Sequence, residues 1–167
     1  MAYSTIVKTA RDLVLALADN SGFGGANVLT IAYEPGDWTM SVPKEERVNL
    51  LDRGVLVSRV RKGADQAITG SMSTYFRDAT DAAVATLFDI LNDSGYVGSN
   101  WVSTLGSTAE VECFDHRATI EGSDHGDGAD HTITVTDVSV DYSLSDGTPL
   151  STSVNWQSHT DVRPALT

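Results

Sequence analysis

One cysteine, Cys113, stands in the whole chain of 167 residues, so no disulfide can close within it. That excludes a disulfide-stapled secreted domain and makes synthesis inside a cell the simpler expectation. Long apolar runs are missing too. The patch from Leu13 to Ala18 is bracketed by Asp12 and Asp19, has no basic stretch before it, and is too short for a signal peptide or a membrane span. Positive charge is scarce: eleven Lys and Arg stand against 23 Asp and Glu, a net charge of −12. Such a balance argues against a sequence-independent DNA binder, which needs a positive face to displace counterions. It does not argue against a surface that DNA slides past. With four prolines, 41% apolar residues and no low-complexity segment, the composition is that of a folded chain whose length suits one domain, taken here as 1–167 with short flexible ends.

What is present reads mostly as strand. Leu29, Ile31 and Tyr33 alternate, then Trp38, Met40 and Val42, with the turn residues of "EPGD" between them. In "AITGSMSTYFR", Ile68, Gly70, Met72, Thr74 and Phe76 share one face, and Ser71, Ser73, Tyr75 and Arg77 share the other. Leu150, Thr152, Val154 and Trp156 repeat the pattern. In "TITVTDVSVDY" the apolar parity switches from Ile133 and Val135 to Val138, Val140 and Tyr142, which predicts a one-residue bulge near Asp137. The N-terminal apolar patch fits helix or strand, and a strand over 12–18 turning at "DNSGFGG" is the expectation. One amphipathic helix is expected near 80–93, with Val84, Leu87, Phe88 and Leu91 inward. Thr80 or Asp78 would cap it, Gly95 would stop it, and Asp81, Asp89 and Asp93 would face mostly to solvent. The expected fold is mainly β (α+β): a sandwich or barrel of about seven to nine antiparallel strands with that single helix.

Candidate chemistry is thin. Asp115, His116, Asp124, His125, Asp127, Asp130 and His131 crowd one stretch, and His and Asp ligate metals. No zincin, EF-hand or zinc-ribbon spacing fits them, and a Gly/Asp-rich loop between two strands explains them as well. A metal-dependent hydrolase built on Asp115, His116, His125 and His131 is the weakest of the alternatives. The glycines of "GFGG" do not follow a parallel strand and open a helix, so they are no phosphate cradle. Twelve aromatic residues are scattered. Trp38, Trp101 and Trp156 would serve a carbohydrate-binding or adhesion module if they met on one surface, although each Trp is more often a core or interface residue. Neither an activated nucleophile nor a cofactor fingerprint stands out, so no enzyme and no cofactor are expected.

The scarce positive charge is concentrated. Lys44, Arg47, Arg53, Arg59, Arg61 and Lys62 fall within one stretch, and after Asp78 only Arg117 and Arg163 remain. On a strand "VLVSRVRKG", Val55, Val57, Arg59 and Arg61 share a face that is ordinary on a surface and costly in a core. A solvated strand is the plain account. Such polarity in an acidic chain also suits self-association, where a basic patch on one copy meets an acidic patch on the next.

At this stretch the sequence resembles a family. The succession "GDWTMSVP" and "LLDRGVLVSRVRKGADQAITGSMSTYFRD", then a helix, then "AEVECFD" and "TITVTDVSVDYSLSDGTPLSTSVNW", resembles the tail tube (major tail) proteins of long-tailed bacteriophages. The order of elements, over about residues 12 to 157, carries the resemblance more than any one motif. It implies a subunit of hexameric rings whose inner sheets join into a continuous barrel and whose rings stack into a hollow tube. The long loop from Trp38 to Leu56 would reach a neighbouring ring, which places Lys44, Arg47, Asp52, Arg53, Arg59 and Arg61 at subunit or ring contacts. Ser71, Ser73 and Tyr75 become candidates for the lumen. The implied partners are further copies, a tape measure and a tail terminator, with DNA passing through unbound and no membrane involved. The implied place is the phage tail, made in the host bacterial cytoplasm.

Overall fold

The computed structural model describes residues 13–31, 37–43, 47–52, 55–62, 66–76, 81, 83–108, 111–120, 129–147, 150–160 and 164–166, with 47–52, 55–62 and 165–166 described through their backbone. In chain order the elements are β1 (Leu13–Ala18), β2 (Val28–Ile31), β3 (Thr39–Ser41), β4 (Arg47–Asp52), β5 (Val55–Lys62) and β6 (Thr69–Tyr75). Then follow α1 (Leu87–Asn92), α2 (Val97–Asn100), β7 (Phe114–Ile120), β8 (His131–Ser145), β9 (Ser151–Ser158) and β10 (Ala165–Leu166). The molecule is mainly β, as expected. The main sheet is antiparallel throughout, in the order β2-β1-β7-β8-β9-β6-β3, with β10 on β8; β4 and β5 form a separate two-stranded sheet.

β1 resolves the ambiguous N-terminal patch as a strand. Leu13, Leu15 and Leu17 enter the core, and the turn after them uses Gly22 at φ 69°, a left-handed conformation that costs glycine nothing. Leu15 and Leu17 from β1 share one cluster with Met72 of β6, Phe114 of β7, Val154 of β9, and Ile90 and Val97 from the two helices. β1 and β6 lie far apart along the strand order, so a shared core requires the sheet to curl until its two halves face each other. Burying one such Leu is worth about 1.5–3 kcal/mol. Ile68, Val135, Val138 and Trp156 form a second cluster.

The bulge sits where the parity switch placed it. Phe114 pairs with Val138 and His116 with Val135, so β8 carries one residue more than β7 between them. Asp137 takes φ 53° there, and both Val135 and Val138 stay buried. β8 is thereby passed from one partner to another: up to Val138 it pairs with β7, and from Val138 to Ser145 with β9.

The helix is shorter than its periodicity predicts. Asp81 turns its carboxylate back to accept the N–H of Ala83 at 2.7 Å and of Val84 at 3.3 Å, a local turn that competes with a helical start. The cap is therefore Thr86, whose hydroxyl accepts the Asp89 N–H at 3.1 Å, and not Thr80 or Asp78. Val84, expected in the core, is 64% exposed. Asp89, expected at solvent, is wholly buried. It accepts the Asp81 N–H at 3.2 Å and the Ser94 hydroxyl at 3.2 Å, tying the segment before α1 to the turn after it. The chain leaves α1 through Asp93 at φ 45° and Gly95 at φ 56°. β4 and β10 were not legible as strands; β4 takes up part of what was expected to be loop between Trp38 and Leu56.

Candidate assembly surfaces

The alternation of β6 extends across its neighbours into a face of one chemistry. Cross-strand register sets Ser71 beside Asn155 and Asn155 beside Asp141. It sets Ser73 beside Ser153 and Ser143, and Tyr75 beside Ser151 and Ser145. At the near edge Thr39 pairs with Ser71, and their hydroxyls hydrogen-bond at 2.8 Å. These side chains are exposed or half-buried, while Met72, Thr74, Thr152, Val154 and Trp156 between them point inward and are buried. Within these rows of hydroxyls and amides, Asp141 is the one charge. Ser71, Ser73 and Tyr75 thus stand on a broad polar face, and the serines of β8 and β9 and Asn155 belong with them. The sequence shows the alternation of each strand; only the register shows the strands side by side.

Gly70 is what lets this face lie flat against the core. It pairs with Trp156, and a Cβ at that position would stand 2.1 Å from the Trp156 ring and 2.2 Å from the Thr39 carbonyl oxygen.

The basic stretch lies on β4 and β5. β4 and β5 pair antiparallel as a two-stranded hairpin tip, a sheet separate from the main one. It pairs Arg47 with Lys62, Val48 with Arg61, and Asp52 with Val55. The register slips between Asn49 and Leu51, so Arg59 lies in the stretch of β5 without a direct opposite. Lys44 and Arg53 lie outside the described residues. Neither β4 nor β5 packs extensively on another described element.

The described members of the Asp/His group do not come together. Asp124, His125 and Asp127 lie outside the described residues. His131 is exposed at the start of β8, opposite Ile120, whereas His116 is buried four residues back along β7. His116 Nε2 accepts the indole N–H of Trp38 at 3.1 Å, and its ring lies 5.2 Å from that of Trp156. Burial pushes its pKa down to about 4, against a smaller raising effect from the Ala16 backbone, so the imidazole is neutral. Among the described residues no three His, Cys, Asp or Glu gather as metal ligands. The tryptophans form no sugar platform: Trp156 is buried, Trp38 is bonded to His116, and Trp101 packs edge-on against Phe114 at 5.8 Å.

An acidic rim lies around a cleft of about 480 Å³ between the end of α1, the stretch before β7, and β8. Asp93, Glu112 and Asp141 stand on it, with Leu91, Val111 and Val140 among its apolar lining. Burial, and then the neighbouring Asp93 carboxylate, raise the Glu112 pKa. Among the described residues no helix is long and apolar enough to cross a membrane.

No family model matches the sequence, and no curated protein matches it. Solved structures do resemble the fold. One is a chain of the sheath–tube complex of an extracellular contractile injection system, PVC, in its extended state: TM-score 0.58, 13% identity, covering 99% of each chain. The tube-terminating cap of the anti-feeding prophage gives TM-score 0.58 at 9% identity, over 100% of this chain and 94% of that one. The SPP1 tail tube gives 0.54 at 12% identity, over 96% of this chain and 79% of that one. The resemblance to tail tube proteins therefore holds at the level of the fold.

Proposed function

We propose that this chain is the structural subunit of a tail-type tube. Copies associate through their edges into rings, six to a ring as the sequence resemblance implies, and the rings stack around a hollow bore. The whole of 1–167 acts as one such domain, without catalysis and without a cofactor. The polar face over β3, β6, β9 and the second half of β8 lines the bore, with Ser71, Ser73 and Tyr75 among its side chains. Lys44, Arg47, Asp52, Arg53, Arg59 and Arg61, on or beside the hairpin tip, make the contacts between subunits or rings. A tape measure, a terminator and further copies are the partners, and the assembled tube belongs to a virion tail.

The observation that carries this reading is the polar face itself. A sheet face of neighbouring hydroxyls and amides, broken by one carboxylate, is unsuited to packing on an apolar partner and well suited to water. Its described residues offer a phosphate backbone no cation to hold, which favours DNA passing without being bound. Fold likeness to tube and cap chains supports the same reading. Electron microscopy of the purified protein at high concentration tests it. Rings or hollow tubes are the expected particles, and a protein that stays monomeric at every soluble concentration overturns it.

A further inference from the structure

β8 beyond the bulge has a strand on one side only. The His159 N–H donates to the Asp137 carbonyl at 2.8 Å, which fixes the parity of the β8–β9 ladder: odd residues of β8 exchange hydrogen bonds with β9. The N–H and C=O groups of Val140, Tyr142 and Leu144 point the other way, and among the described residues no strand meets them. That open edge borders the acidic cleft, whose lining mixes Leu91, Val111 and Val140 with Asn92 and Ser139 and whose rim carries Asp93, Glu112 and Asp141. An unpaired edge beside a groove is a template for an added strand. The rim specifies a basic one.

The chain itself owns a segment of that kind. The β4–β5 tip is a two-stranded ribbon, a structure marginal by itself in water, and it packs extensively on nothing else described. Its sequence, "RVNLLD" and "VLVSRVRK", offers apolar residues for that lining and Arg47, Arg59, Arg61 and Lys62 for the rim. Resting on the tube reading above, we propose that the cleft beside the open edge of β8 receives the basic hairpin tip of a second copy of this chain. Backbone pairing to Val140, Tyr142 and Leu144 sets its register, and the Asp93–Glu112 repulsion is relieved by the incoming cations.

Cysteine pairing tests the contact, because the native Cys113 is wholly buried and does not compete. Arg59→Cys protein is mixed under oxidising conditions, in assembling concentrations, with Glu112→Cys protein, and separately with Thr39→Cys protein. Thr39 lies on β3, at the far edge of the same sheet. Mixed disulfide dimers at least about tenfold more abundant with Glu112→Cys are expected, a ratio equivalent to about 1.4 kcal/mol of preference. Assembly with equal yields, or with preferential pairing to Thr39→Cys, places the tip elsewhere and overturns the proposal while leaving the tube reading intact. Absence of any assembly by the unmodified protein overturns both. Charge exchange gives the second readout: Arg59→Glu and Glu112→Lys each raise the concentration needed for assembly, and mixing the two variants restores it. Variants that do not rescue each other, although each is folded by circular dichroism, also overturn the proposal.

Discussion

The indole N–H of Trp38 donates to Nε2 of His116 at 3.1 Å, joining the residue just ahead of β3 to the buried middle of β7. The bond exists only while His116 is neutral, because a protonated Nε2 has no lone pair to offer.

Acid should therefore destabilise the fold before most carboxylates are protonated. The His116 pKa falls from 6.5 in the unfolded chain to about 4 in the fold. Between those values the unfolded chain binds the proton and the folded chain does not. This contribution is whole above pH 6.5 and is lost as pH falls towards 4, about 3 kcal/mol in total. Asp115 and Glu112, whose pKa values burial raises, act in the opposite direction. Urea unfolding at several pH values, compared between the native chain and His116→Leu, isolates the histidine. The variant should show a distinctly shallower loss of stability between pH 6.5 and 4.

Gly70→Ala should cost about 2 kcal/mol or more. The added carbon meets both the Trp156 ring and the Thr39 carbonyl, so either Trp156 leaves its place or β3 separates from β6. Gly24→Ala, where nothing lies within 4 Å, is the matched control and should shift thermal unfolding little.

Asp89→Ala should destabilise by about 2–4 kcal/mol, since it leaves the Asp81 N–H and the Ser94 hydroxyl without their acceptor inside the protein. Asp89→Asn keeps one carbonyl oxygen and should lose less. Thermal unfolding of the two variants checks the order.

Arg59→Glu or Arg61→Glu should weaken assembly and leave the subunit folded. The tip does not pack extensively on its own main sheet, so on the proposed tube reading reversing its charge weakens contacts with a neighbour and spares the subunit's own core. Sedimentation should show a higher assembly threshold, with an unchanged far-ultraviolet spectrum. If both variants assemble like the native chain, the basic cluster is a solvated strand.

Much of this fold was legible because strands write a period of two. The inward rows of β6 and β9 followed from alternation, and the Asp137 bulge from a change of parity that only an extra residue reconciles with one buried face. Helical spacing misled at 83–86 because Val84 fits the pattern while the Asp81 side chain binds the backbone first. Asp89 looked like a surface acid because its partners, the Asp81 N–H and Ser94, are brought to it by turns that carry no periodic signal. β4 escaped notice because "RVNLLD" does not alternate and is broken by a register slip. The polar face was visible strand by strand but not as a surface, since register between distant strands is not written locally. Nor did spacing reveal that His116, next to Asp115 in a stretch resembling a ligand set, turns into the core to meet Trp38.

The most direct test of the central claim is a three-dimensional reconstruction of the assembled particle by electron microscopy. The account predicts a hollow tube of stacked rings with Ser73, Ser143 and Ser153 facing the bore. A tube with that face turned outward or buried against another subunit would contradict it, as would a protein that forms no ring at any concentration.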